Sequence, residues 1–196
     1  QLTIRWADRT VNELLEKHIG KKKDRVIAGD TDSIIVSLAD IVDKFQPNDP
    51  CSFIDEFCKK AITPKLEGSF LELSKMMNCR DSRLQMKREV IASRAIWTKK
   101  KRYIMNMLNK EGVQYEKPKL KIMGREAVKT STPMSCRSTM KELFSVIMNK
   151  DEKAVQSAIA EFRAKFEAMK PEEIAFPRGV SELKKYAFGE LIYLTS

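Results

Sequence analysis

Two short apolar runs, Val26-Ile27-Ala28 and Ile34-Ile35-Val36, stand on either side of Gly29-Asp30-Thr31-Asp32-Ser33. Runs of this length, rich in β-branched residues and parted by turn-forming residues, read as two strands joined tightly. Apolar residues on both sides bury the strands, while two carboxylates sit at their junction. Asp30 and Asp32 share parity, so an extended strand points them to one side, and a tight hairpin keeps them close neighbours. Carboxylates that close repel unless something positive lies between them. A hard divalent cation such as Mg²⁺ meets that need, because it prefers carboxylate oxygen. Gly29 is expected to allow a close turn or the close approach of a ligand. The same five residues also suit a polar β-turn. The rigid apolar flanks tilt the reading toward a metal site presented on strands.

The rest of the chain limits what such a site can serve. With 196 residues, 42% of them hydrophobic, one or two small domains with a real core are expected. No stretch has the length or purity of a membrane span, and no signal peptide opens the sequence. Cys51, Cys58, Cys79 and Cys136 lack metal-ligand spacing and read as reduced, partly buried thiols of a cytoplasmic protein. His18, at a helix end, reads as a cap or surface residue. The formal net charge is +10, and all of it is concentrated between Arg83 and Arg125, where 13 residues are basic and 3 acidic. A basic segment inside an otherwise balanced chain points to a polyanion.

Ile4, Ala7, Val11, Leu14, Leu15 and Ile19 step by three and four, giving an amphipathic helix that Gly20 stops. One or two helical turns follow over Asp40 to Phe45. Pro47 and Pro50 break the chain, and Ser52 is expected to cap a long helix reaching Met77, disturbed near Pro64. Strands are expected over Leu84–Ala92, Arg102–Leu108, Val113–Tyr115 and Leu120–Met123. Thr132 is expected to cap a helix with Pro133 in its first turn. Met140, Leu143, Phe144 and Ile147 make one helical stripe, Ala154, Val155, Ala158, Ile159, Phe162 and Phe166 a second, and Asn149–Asp151 joins them as an αα-hairpin. The methionines, Met76-Met77 and Met105/Met107 among them, read as core filling.

Two basic stretches carry nucleic-acid character. Trp97-Thr-Lys-Lys-Lys-Arg-Tyr103 sets consecutive cations beside two aromatics, suited to neutralising phosphates and bracing or stacking. Lys117-Pro-Lys-Leu-Lys-Ile-Met-Gly124 alternates Lys119 and Lys121 with Leu120 and Ile122, one face basic and the other apolar. Haloacid-dehalogenase-type phosphatases also place Asp-x-Asp after an apolar strand. Here a second strand follows Ser33 at once, and no downstream acidic pair fits that family.

Taken in order, these segments resemble family B DNA polymerases of the T-even-like bacteriophage replicative type. Gly29–Ser33 matches motif C, and Lys100-Lys101-Arg102-Tyr103 matches the KKRY segment. Lys119 to Pro133 is similar to the junction between palm and thumb. Glu89, in Lys87-Arg-Glu-Val90, matches a carboxylate of the family, although Lys87 stands where the phage enzymes usually carry Asp. The opening helix resembles the one that follows motif B. The segment between Glu89 and Trp97 is shorter than in the family.

The resemblance implies an α+β fold. Residues 1–124 would be a partial palm, an antiparallel sheet with packed helices, and residues 125–196 a partial, mostly helical thumb. It implies a DNA-directed DNA polymerase that transfers a nucleotide from dNTP to a primer 3′-hydroxyl with two Mg²⁺ ions. Asp32 would be the main catalytic and metal-binding carboxylate, Asp30 would lie beside the metals and primer end, and Glu89 would be an outer acidic neighbour. Thr31 would lie by the nucleotide. Lys100, Lys101, Arg102 and Tyr103 would meet the primer–template duplex, as would Lys119, Lys121, Gly124, Lys129 and Thr132. A sliding clamp would engage a missing C-terminal tail. The motif A aspartate and the motif B lysine are not in this sequence, so the expectation is a fragment that does not polymerise alone. Two alternatives stand beside it: a non-catalytic basic module that binds duplex nucleic acid, and a helical partner-binding domain.

Overall fold

The computed structural model describes residues 1–124, 126–177 and 179. The chain divides into two compact units, Gln1–Met123 and Gly124–Ser196. The first carries two antiparallel sheets packed with helices, and the described part of the second is helical. Among the described residues no helix is long and apolar enough to cross a membrane.

The first unit begins with α1, Leu2–Ile19, which ends as its sequence dictates. Gly20 takes φ 80°, and its N–H bonds to the Glu16 carbonyl at 2.7 Å, a left-handed cap that a side chain would strain. The buried positions of α1 are Ala7, Thr10, Val11 and Leu15, one stripe at helical spacing. Ala7, Val11 and Leu15 form a core with Ile41, Leu66 and Phe70, and the partly buried Val26, Ile34 and Val36 pack on it. The Trp6 indole N–H donates to the Ser69 carbonyl at 3.0 Å, fixing α1 against the helix that carries Phe70.

Strands β1, Val26–Asp30, and β2, Ser33–Val36, pair antiparallel, and Asp30 faces Ser33 across the two-residue turn Thr31-Asp32. Helix α2, Ala39–Phe45, follows. The next helix starts earlier than the sequence suggests. Asp49, not Ser52, is the cap, accepting from the N–H groups of Cys51 and Ser52, and Pro50 opens α3, Pro50–Phe57. Proline suits the first helical position, where its missing N–H costs nothing. The expected disturbance near Pro64 is a π-helical stretch, Cys58–Ile62, before α4, Thr63–Met76. Proline cannot donate, and its ring crowds the carbonyl four residues back, so the helix widens ahead of it. Met76 and Met77 are exposed rather than core filling, while Met105 is buried.

The second sheet has the order β3-β4-β5, with β3 at Val90–Lys99, β4 at Arg102–Lys110 and β5 at Val113–Met123. Residues 84–89, expected to begin a strand, are irregular, and the strand runs on to Lys99 instead. β5 is one strand rather than two pieces. Between the pairs Asn109↔Gln114 and Met107↔Lys119, β5 advances five residues while β4 advances two. This bulge on an edge strand absorbs Pro118, which has no N–H for a ladder.

In the second unit a 3₁₀ turn, Glu126–Val128, precedes α5, Met134–Asn149, then α6, Glu152–Glu167, and α7, Pro171–Ile174. Asp151 caps α6 by accepting from the Ala154 N–H, and Pro133 rather than Thr132 stands at the α5 cap. Cys136, Thr139 and Met148 are the buried side of α5, whereas Ile147, read as part of the stripe, is exposed.

The four thiols are free. Burial pushes the Cys58 thiol up to about 11 and raises Cys51 as well. Cys136 is also buried, and Cys79 is exposed. Thiol titration with a colorimetric disulfide at pH 8 is therefore expected to find one fast cysteine in the folded chain and four in denaturant. Replacing Cys79 with serine should remove the fast phase.

Candidate nucleic-acid and cation site

The β1–β2 turn places its two carboxylates in different settings. Asp32 is exposed and lies, with Thr31, on the wall of a cleft of about 230 Å³ shared with Ile4, Phe70, Gln85 and Met86. Asp30 ends β1 and is half-buried. Its carboxylate accepts from the Thr31 hydroxyl at 3.2 Å, and the Ser33 hydroxyl reaches the Asp30 carbonyl at 3.5 Å. Apolar β1 and β2 residues anchored on α1 hold this turn in place.

Within this chain no neighbouring protein atom requires a glycine at position 29. A Cβ built there meets Ile4 Cγ2 at 3.6 Å and the Ser33 carbonyl at 3.7 Å, ordinary contact distances. Gly29→Ala is expected to leave stability unchanged or raise it by up to about 0.5 kcal/mol, because alanine loses less chain entropy in a strand. Urea unfolding checks this, and a loss above about 1 kcal/mol would contradict it.

The KKRY segment is the β3–β4 turn, Lys100-Lys101, together with the first two residues of β4, Arg102-Tyr103. Trp97 pairs with Tyr103, Lys99 pairs with Arg102, and Lys100-Lys101 turn the chain. Lys101 takes φ 61°, a left-handed conformation that a long side chain adopts at some cost and that recurs where function constrains the backbone. The Trp97 and Tyr103 rings lie 5.9 Å apart between centroids. Residues directly opposite in neighbouring strands share a face. Tyr103 stands opposite Met123, Met105 opposite Lys121 and Met107 opposite Lys119, so both lysines rise from the face that carries Tyr103. Lys121 Nζ stands 5.9 Å from the Tyr103 ring centroid, and Lys119 Nζ stands 4.2 Å from that of Tyr115. Lys100, Lys101, Arg102 and Lys119 are exposed, and Lys121 is half-buried.

The two turns meet. Lys101 Nζ lies 3.9 Å from Asp30 Oδ2. The structure therefore brings the carboxylate turn and the basic turn side by side, although they are far apart in the chain.

Other expected members are placed differently. Among the described residues no three acidic, histidine or cysteine side chains gather where they could hold a metal, so Glu89 does not join Asp30 and Asp32. The Glu89 side chain is exposed, and its carbonyl accepts from the Glu111 N–H at 2.7 Å, tying it to the β4–β5 turn. Thr132 is buried at 5% exposure. Gly124 takes φ 62° at the start of the second unit, and Lys129 is exposed there.

Sequence reasoning missed Arg88. Its guanidinium pairs with Asp55 of α3 and donates to Asn109 Oδ1 at 2.6 Å, and Asn109 Oδ1 also accepts from the Gly112 N–H at 3.1 Å. Arg88 thus fastens the β4–β5 turn to α3. It is one arginine among many in a basic segment, so only the tertiary structure singles it out.

A family profile described as Divergent Family B DNA polymerase matches residues 16–165. The chain is 31% identical over 201 residues to a DNA-directed DNA polymerase of Enterobacteria phage T4, a match covering 95% of this chain and 22% of the relative. It is 34% identical over 204 residues to one of Escherichia phage RB69, covering 96% of this chain and 23% of that relative. The chain thus spans less than a quarter of the length of these relatives. With the motif-bearing hairpins inside the matched span, this chain belongs to the divergent family B DNA polymerases.

Proposed function

We propose that this chain is the part of a DNA-directed DNA polymerase that carries one carboxylate turn of the nucleotidyl-transfer site and grips the primer–template duplex beside it. Residues 1–123 act as part of the palm and the helical unit as part of the thumb. The observation that carries the reading is the meeting of Lys101 with Asp30 at 3.9 Å, which sets the end of a basic, aromatic hairpin against the carboxylate pair. A duplex lying along Lys100, Lys101 and Arg102 would therefore end close to Asp30 and Asp32.

The residues fit a divalent cation in part. Asp32 is an exposed carboxylate with Asp30 beside it on a turn fixed by core packing, and Asp30 already takes a cationic side chain as neighbour. Asp32 and Asp30 would supply two carboxylates, and the rest of the complete site would come from elsewhere in the polymerase. When bound, divalent cations lower the barrier to attack by the primer 3′-hydroxyl and steady the departing pyrophosphate. The chain's own residues do the positioning. Lys100, Lys101 and Arg102 meet backbone phosphates and groove edges without reading sequence, as suits an enzyme that copies any template. Tyr103, braced by Trp97, sets the lateral position of the primer strand. Lys119 and Lys121 extend the cationic face, and Thr31 faces the nucleotide.

Tethered cleavage tests this placement. An iron chelate attached at Asp32→Cys, in a chain whose Cys79 is serine, is expected to cut a primer–template within a few nucleotides of the primer 3′ end. Cutting spread evenly along the duplex would contradict the reading. That outcome would favour the second reading, a non-catalytic duplex-binding module.

A further inference from the structure

We infer that the Lys101 ammonium and a divalent cation are alternative counter-charges for Asp30, so that cation binding at the carboxylate turn frees Lys101 for the DNA backbone and duplex binding frees Asp30 for the cation. The inference rests on the proposed cation role of Asp30 and Asp32, and it adds a coupling between that role and DNA binding.

The geometry carries it. Among the described residues Asp30 has one cationic neighbour within ion-pair distance, Lys101, and their side chains are 37% and 66% exposed. An ion pair this open is weak, and water and salt compete with it. A better partner can displace it. A divalent cation carries twice the charge and binds oxygen directly, and a phosphodiester offers Lys101 an acceptor of the same sign as Asp30. Lys101 is also held at φ 61°, which aims one particular residue of the basic turn at Asp30. Lys100, its exposed neighbour with the same charge on the same turn, forms no ion pair with Asp30, so a general field effect and a specific exchange can be told apart.

Two-state exchange has a reciprocal consequence. If one lysine serves Asp30 or DNA but not both, then DNA must tighten cation binding by the factor by which the cation tightens DNA binding. The effect is bounded by the strength of an exposed pair, so a severalfold coupling is expected rather than an all-or-none switch.

The test is Mn²⁺-induced broadening of the Thr31–Ser33 amide signals in the ¹⁵N-labelled chain. Without DNA, Lys101→Met is expected to tighten Mn²⁺ binding about threefold more than Lys100→Met does, although both remove one charge from the turn. With saturating duplex, wild type and Lys101→Met should bind Mn²⁺ with similar affinity, because DNA has already withdrawn the lysine. Equal effects of the two substitutions would overturn the inference while leaving the cation site standing. A difference that persists in the presence of duplex would overturn the hand-over to DNA. No broadening at Thr31–Ser33 in any of the three proteins would overturn the cation reading itself, and the inference with it.

Discussion

Changing Lys100 and Lys101 together to alanine is expected to weaken binding to a primer–template duplex by at least about tenfold at 0.1 M salt. Both residues are exposed on the turn between β3 and β4, and neither belongs to the core. Alanine should therefore remove charge without disturbing the fold. For every phosphate no longer neutralised, the plot of log affinity against log salt should flatten by about 0.9, so the pair should reduce the slope by about two. The weakening should be the same for duplexes of unrelated sequence, since backbone contacts carry no sequence information. Fluorescence anisotropy over a salt series measures both quantities. An unchanged slope would place the duplex somewhere other than this turn.

Arg25→Met is expected to destabilise the chain by about 3 kcal/mol, a large fraction of the stability of a small domain. Arg25 precedes β1 and is 1% exposed. Its Nε donates to Asp40 Oδ2 at 3.0 Å, and its Nη1 donates to the carbonyls of Lys21 and Lys23 at 3.2 and 3.0 Å. Nη2 sits 2.9 Å from Asp40 Oδ2, an ion-pair contact whose angle falls short of a hydrogen bond. The Arg25 N–H donates to Asn12 Oδ1 at 2.8 Å, and the Asn12 amide in turn bonds Asp8 and Asp24. One buried guanidinium therefore joins the loop after α1 to α2, and it sits at the base of the strand that ends in Asp30. Methionine fills similar space but leaves the two carbonyls without a donor. Lys23→Met is the control. Lys23 is exposed and also reaches Asp40, at 3.1 Å, so its removal should cost under about 0.5 kcal/mol. Urea unfolding of both variants decides the matter, and similar small destabilisations would contradict a buried node at Arg25.

The same node has an acid limb. The Lys23 hydrogen bond, with the charges of Lys23 and Arg25, holds the Asp40 carboxyl below its usual range. A carboxyl lowered on folding contributes stability that is present above its unfolded value and disappears as pH falls through the folded one. This contribution is thus complete at neutral pH and is lost only on strong acidification.

The legible parts of this fold are those that depend on local chemistry. The stripe of α1 and its glycine stop and the strands around Gly29–Ser33 follow from spacing and side-chain type. The parts that sequence reasoning misplaces turn on context. Pro50 looks like a breaker, yet it opens α3 because Asp49 stands just ahead to cap it. Leu84 to Glu89 has strand-like residues but joins no sheet, and Leu84 and Met86 line the cleft by Asp32 instead. Pro118 argues against a strand, but an edge position and a bulge let β5 run through it. The approach of Lys101 to Asp30 is a tertiary fact, and no spacing in the sequence carries it. Glu89 shows the converse: its motif position suggests a place near the carboxylate pair, and the backbone ties it to the β4–β5 turn instead.

The most direct test of the central claim is the salt dependence of wild-type binding to a fluorescent primer–template duplex. Binding is expected to fall steeply between 50 and 200 mM salt, on the order of six phosphate contacts giving a log–log slope near −5. Absence of binding at 50 mM salt, or binding indifferent to salt, would contradict the claim that this chain grips the duplex beside Asp30 and Asp32.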